Sequence, residues 1–223
     1  MPGLNPEKDL LLYLCTDRGL FPGPIAGAVE EAIAGGVTMV QIREKDTSTR
    51  DFYRIALEVK EVTDRLHIPL VINDRLDIAL AAGASGLHIG ASDLPLKEAR
   101  RLAGSMFIGV SASTAEEAVE AERGGADYIG AGAVYPTGSK ADAGEAIGIA
   151  GLADICAAVN IPVVGIGGVN ALNAAEVMKA GASGIAVISA ILSQDGIRAA
   201  AQALRTVLEA ERQEMRGREK IFP

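Results

Sequence analysis

Eight short apolar runs, each followed by a longer amphipathic stretch, constrain what this chain can fold into more than any other feature. The runs are Leu11–Thr16, Thr38–Arg43, Leu70–Asn73, Gly86–Ile89, Phe107–Ser111, Tyr128–Val134, Pro162–Ile166 and Gly184–Ser189. Most are continuously apolar rather than alternating, the pattern of strands covered on both faces. The segments Ile25–Ala34, Thr49–Leu66, Leu76–Ala82, Leu96–Leu102, Ala115–Arg123, Leu152–Val159, Ala171–Lys179 and Ile197–Ala210 carry helical periodicity. Ser113 or Thr114 ahead of Glu116 and Glu117, and Asn170 ahead of the seventh helix, stand where caps are needed. Eight βα units in 223 residues predict an α/β fold, a single-domain (β/α)8 TIM barrel. An open doubly wound sheet would fit the unit count as well. The repeat of Ala82-Gly83-Ala84-Ser85-Gly86 as Ala180-Gly181-Ala182-Ser183-Gly184 favours the barrel, because matching turns four units apart suit two similar halves. No linker divides the chain, so residues 1–223 read as one domain, with the charged segment Glu211–Pro223 expected to fray.

Charge narrows the partners. With 29 acidic and 21 basic residues the net charge is −8, and no basic stripe appears, so nucleic acid and anionic membranes are not expected ligands. The longest apolar stretches, such as Ile185 to Leu192, are far too short to span a bilayer. Glu7, Lys8 and Asp9 precede a short apolar run that does not read as a signal peptide. Cys15 and Cys156 sit in apolar segments and read as buried free thiols in a reducing cytoplasm. The oligomeric state, including a homo-oligomer, is left open by the sequence.

Polar residues collect at one end of the predicted barrel. Corners entering strands hold turn residues such as Gly35-Gly36, Pro69, Gly125 and Pro162. Corners leaving strands hold Gln41-Ile42-Arg43-Glu44-Lys45-Asp46, Asn73-Asp74-Arg75, Asp93, Ser111, Thr137-Gly138-Ser139-Lys140, Gly167-Gly168 and Ser189. In such barrels the strand exits carry function. Arg43, Lys45 and Lys140 are three cations suited to a polyanion such as a diphosphate. Asp74 and Asp93 leave adjacent strands, and two carboxylates plus ligand oxygens is the usual way to hold Mg²⁺. Gly167-Gly168 and Ser189 occupy the corner where such barrels bind phosphate. Two anionic groups at one mouth fit transfer from a diphosphate to a phosphorylated acceptor. Only His67 and His88 exist, with no triad, zinc, dinucleotide or Walker pattern, and His88 reads as a buried structural histidine. The long segment Tyr135–Gly148 reads as a lid.

Five of these stretches resemble one family: Gln41-Ile42-Arg43-Glu44-Lys45, Asn73-Asp74-Arg75, Gly86-Leu87-His88-Ile89-Gly90 with Asp93, Tyr135-Pro136-Thr137-Gly138-Ser139-Lys140, and Gly165-Ile166-Gly167-Gly168. In order and spacing, from about Tyr13 to Ser189, they are similar to thiamine phosphate synthases. The resemblance implies a (β/α)8 barrel that joins 4-amino-2-methyl-5-diphosphomethylpyrimidine to a thiazole phosphate, releasing diphosphate by a dissociative, carbocation mechanism. By position it implies that Gln41, Ile42, Arg43, Glu44, Lys45, Asn73, Ser111 and Lys140 bind the pyrimidine diphosphate. Among these, Arg43, Lys45, Ser111 and Lys140 take catalytic roles. Asp74 and Asp93 would ligate Mg²⁺, and Thr137, Gly138, Ser139, Gly168, Ile188 and Ser189 would hold the thiazole phosphate.

The chain departs from the family pattern at Ala91, where a glutamine is common, at Ala133, where a proline is common, and at Ser139, where a threonine is usual. Simpler readings compete at single positions. Arg43-Glu44-Lys45-Asp46 alone is a self-paired surface run, Asp74 alone a helix cap, and Asp93 alone a turn residue before Pro95. Two other functions compete for the whole: a thiazole tautomerase-like isomerase and a non-catalytic phosphate-ligand binder. The isomerase relies on a histidine after the fifth strand, where this chain has Ser111-Ala112-Ser113. The binder would be expected to lose the metal carboxylates, which are present.

Overall fold

The computed structural model describes residues 4–21, 23–138 and 144–219. Eight parallel strands close into a barrel in sequence order: β1 (Leu12–Cys15), β2 (Met39–Ile42), β3 (Leu70–Asn73), β4 (Gly86–Ile89), β5 (Phe107–Ala112), β6 (Tyr128–Ala131), β7 (Val163–Ile166) and β8 (Gly184–Val187). Closure is made by β1 lying beside β8, with Leu12 opposite Ile185 and Leu14 opposite Val187. The closed ring excludes the open doubly wound sheet.

Around it lie α1 (Pro6–Asp9), α2 (Ile25–Ala34), α3 (Thr49–Arg65), α4 (Leu76–Ala82), α5 (Leu96–Ala103), α6 (Ala115–Arg123), α7 (Gly148–Ala158), α8 (Ala174–Lys179), α9 (Ser189–Leu192) and α10 (Ile197–Glu219). Helix side chains such as Val29, Phe52, Val59, Leu152, Val177 and Leu204 are buried in the layer that packs on the outer face of the strands. Strands covered on both sides are the physical reason the strand sequences are apolar throughout.

Local chemistry sets the helix ends. Ser48 accepts the Asp51 N–H at the start of α3, and Thr114 accepts the Glu117 N–H at the start of α6. Glu117 reaches back to accept the Ser113 N–H at 2.7 Å, closing a reciprocal cap. Gly83 ends α4 with φ 64°, a left-handed stop that favours glycine.

Some boundaries differ from the sequence expectation. α7 starts at Gly148 rather than Leu152. α8 starts at Ala174 because Asn170 and Asn173 fold the preceding residues into a turn: Asn173 accepts the Asn170 N–H and Asn170 accepts the Leu172 N–H. β6 stops at Ala131 and β8 at Val187, so Ser189 opens the one-turn α9 rather than ending a strand. The last helix continues past Ala210 to Glu219, taking in residues assigned from sequence to a charged tail. Glu211 is buried there with Lys179 Nζ at 3.3 Å, and Arg212 and Arg216 bind Glu7 near the opposite chain end. Cys15 is buried and Cys156 only partly so, and neither forms a disulfide. Among the described residues no helix is long and apolar enough to cross a membrane.

Candidate active site

A cavity of about 690 Å³ opens at the C-terminal ends of the strands. The loop after β2 brings in Arg43 and Lys45, the loop after β3 Asp74, and the loop after β4 Asp93. Asn73 lines the cavity from the end of β3, and Ser111, on β5, opens directly onto it.

The charged groups are organised in pairs. Lys45 Nζ lies 2.7 Å from Asp74 Oδ2. Asp74 does not cap α4: the cap position is Arg75 and no side chain bonds there. Instead Asp74 takes φ 63°, a left-handed conformation tolerated by aspartate, which turns its carboxylate toward Lys45 and Asp93. Asp93 accepts the Gly90 N–H at 2.8 Å.

Burial raises the Asp93 carboxyl above the usual range, and the neighbouring Asp74 adds to that rise. Burial acts upward on Asp74 too, but its hydrogen bonds with Asp93 and Lys45 outweigh this and hold it below the usual range. Two carboxylates this close disfavour full ionisation of both, a conflict that a shared cation removes. Among the described residues no group of three or more His, Cys, Asp or Glu forms a metal cage. A divalent ion on this pair would complete its shell with water and ligand oxygens.

Arg43 is buried and paired through Nη1 with Asp17 Oδ2 at 2.9 Å. Asp17 follows β1, and nothing in the sequence singled it out. Its role shows only once the pairing of β1 with β2 places their exits side by side.

Other expected contacts divide between the cavity and the barrel interior. Thr137, Gly168, Ile188 and Ser189 line the cavity. Gly167 and Gly168 take φ 96° and 65°, and a Cβ at Gly168 would press on Tyr135 and the Pro136 carbonyl. Gln41 does not line the main cavity; it lies inside the barrel and donates from Nε2 to the Tyr13 hydroxyl at 2.5 Å. Ile42 is fully buried in the core. Glu44 also turns away from the cavity: Thr47 donates to its Oε2, its Oε1 has no partner, and burial raises its carboxyl. Gly138 is not part of the lining, and Ser139 and Lys140 lie outside the described residues, as does the middle of the expected lid.

Residues 12–191 match the family model described as thiamine monophosphate synthase. The chain belongs to that family. The thiamine-phosphate synthase of Clostridium novyi (strain NT) is 52% identical over 198 residues, covering 88% of this chain and 97% of that protein. A thiamine-phosphate synthase of Clostridium botulinum (strain Langeland) is 53% identical over 200 residues, 89% of this chain and 98% of the relative. Among solved structures, the thiamine phosphate pyrophosphorylase from Pyrococcus furiosus superposes with a TM-score of 0.86 at 42% identity, over 93% of this chain and 99% of its own. A geranylgeranylglyceryl phosphate synthase from Thermoplasma acidophilum, at 15% identity and a TM-score of 0.69 over 92% of this chain and 95% of its own, shares the fold alone. Family membership accords with the cavity: the paired carboxylates and the Arg43–Lys45 loop lie within the matched span.

Proposed function

We propose that the protein is a Mg²⁺-dependent transferase that makes thiamine phosphate from 4-amino-2-methyl-5-diphosphomethylpyrimidine and thiazole phosphate. The observation that carries this reading is the Lys45–Asp74–Asp93 cluster at the barrel mouth, where one cation already sits on a close carboxylate pair. The C–O bond to the diphosphate breaks with its electron pair leaving on oxygen. The thiazole nitrogen then donates its lone pair to the pyrimidine methylene, forming the C–N bond.

Charge develops on the departing oxygens, so fixed cations there stabilise the transition state more than the ground state. Arg43, held by Asp17, and Lys45 line the cavity and would take that role, with Lys140 assigned to it by family position. Asp74 and Asp93 would hold Mg²⁺, which when bound supplies further positive charge to the diphosphate. Asn73 and Ser111 would contact the pyrimidine substrate. Gln41, Ile42 and Glu44 are assigned to the same substrate by family position alone. Thr137, Gly138, Ser139, Gly168, Ile188 and Ser189 would hold the thiazole phosphate. Two cysteines outside any disulfide suit a reducing compartment, and we place the enzyme in the cytoplasm.

Asp93→Ala tests the reading. Turnover should fall by roughly 10²–10³-fold, the scale for losing one electrostatic element, and lose its response to Mg²⁺, while circular dichroism stays unchanged. Near-wild-type, metal-responsive turnover would overturn the assignment.

A further inference from the structure

Beneath the cavity floor, five side chains from five strands form one hydrogen-bonded chain across the barrel interior. Gln41 on β2 donates from Nε2 to the hydroxyl of Tyr13 on β1 at 2.5 Å. The Tyr13 oxygen lies 3.0 Å from the Tyr128 oxygen on β6. That oxygen lies 3.0 Å from His88 Nδ1 on β4, and His88 Nε2 lies 2.9 Å from Ser111 Oγ on β5. Tyr13, Gln41, His88 and Tyr128 are all buried, whereas Ser111 opens onto the cavity. The barrel makes room for this chain: a Cβ at Gly109 would run into the Tyr128 ring, and one at Gly130 would press on the His88 ring at 3.0 Å.

The donors can be followed from one end to the other. The Gln41 amide can only donate through Nε2, so Tyr13 accepts there and passes its own proton to Tyr128. Burial raises both phenols well above their ordinary range, so each keeps the proton it passes on. Tyr128 then donates to His88 Nδ1, which must be the bare nitrogen. Nε2 therefore carries the ring proton and donates it to Ser111 Oγ, and the Ser111 proton is directed into the cavity.

We propose that this chain presents the Ser111 hydroxyl as a hydrogen-bond donor toward the bound ligand, with His88 and Tyr128 as positioning residues that set its polarity. The matching ligand chemistry is an acceptor such as the lone pair of an aromatic ring nitrogen. That consequence rests on the pyrimidine-binding role proposed for Ser111, whereas the polarity of the chain does not.

The histidine tautomer decides the polarity. Only His67 and His88 exist, so a long-range ¹H–¹⁵N spectrum of the ligand-free protein at neutral pH reports both rings separately. The expected result is a neutral His88 with Nε2 protonated and Nδ1 bare. An Nδ1–H tautomer, or an imidazolium, would mean the chain runs the other way or not at all, and would overturn the proposal. Kinetics test the consequence. Tyr128→Phe should raise KM for the pyrimidine diphosphate about 10-fold, with a smaller effect on kcat and none on KM for thiazole phosphate. Ser111→Ala should raise the same KM, and the double variant should raise it no further than Ser111→Ala alone, because Tyr128 acts through Ser111. Fully additive penalties, or an unchanged KM in Tyr128→Phe, would refute the positioning role. If the wild type forms no thiamine phosphate, it is the proposed activity that fails, and the spectrum still judges the chain. Should Tyr128→Phe not fold, the wild-type spectrum and Ser111→Ala still decide.

Discussion

Asp74, a carboxylate turned left-handed at a strand end, and Gly109, a residue with no side chain, show how much of this protein is decided one residue at a time. Asp74 had two chemically sensible roles from sequence, a helix cap or a cation ligand. Its φ of 63° and its 2.7 Å contact with Lys45 set the cap aside, since no side chain caps α4. Gly109 serves the opposite purpose, leaving out the Cβ that would occupy the space of the Tyr128 ring. Gly109→Ala should therefore destabilise the fold by about 1–3 kcal/mol, the usual cost of overpacking a dense core. Thermal unfolding at neutral pH measures this, and a variant as stable as wild type would show that Tyr128 can move aside. Neither feature is visible in sequence, because each depends on what a neighbouring strand places opposite it.

At the scale of elements, legibility follows the range of the interactions that make each one. Strands β3 and β4 and helices α2, α4 and α6 lie within the bounds their sequences predict, since periodicity and caps are local. The cap of α6 is written in Ser113, Thr114 and Glu117, and the structure builds it from those residues. α10 runs past its predicted end because Glu211 and the arginines after it find partners on α8 and near α1, which no local pattern announces. Arg43 was singled out from sequence, yet its partner Asp17 was not, because their proximity is made by the parallel pairing of β1 with β2.

The α6 cap carries a pH signature. Hydrogen bonds from the Ser113 backbone, then from its hydroxyl, hold the Glu117 carboxyl below its ordinary 4.5 despite an opposing effect of burial. A carboxyl lowered in the folded state stabilises that state above its unfolded pKa, and the benefit is lost as pH falls through the folded value. Glu117→Ala should thus cost about 0.5–1 kcal/mol at pH 7, a modest figure because the group is solvent-screened. The gap from wild type should close as denaturant unfolding is repeated below pH 4.5 and downward. A gap undiminished at about pH 3 would show that the charge of Glu117 is not its source.

For the molecule as a whole, closure of eight strands gathers residues spread over most of the chain into one mouth. The protein carries a net charge of −8, yet Arg43 and Lys45 both stand at the cavity. That asymmetry was legible from sequence, because polar groups cluster at strand exits and turn residues at strand entries. The interior chain from Gln41 to Ser111 was not, because it joins strands from across the ring. The central claim, a metal-dependent transfer at this mouth, is tested most directly by mixing the purified protein with the pyrimidine diphosphate and thiazole phosphate, with Mg²⁺ or with EDTA. Thiamine phosphate and diphosphate should form in equal amounts with Mg²⁺ and cease with EDTA. Equal product under both conditions would contradict the metal assignment, and no product in either would contradict the proposed activity itself.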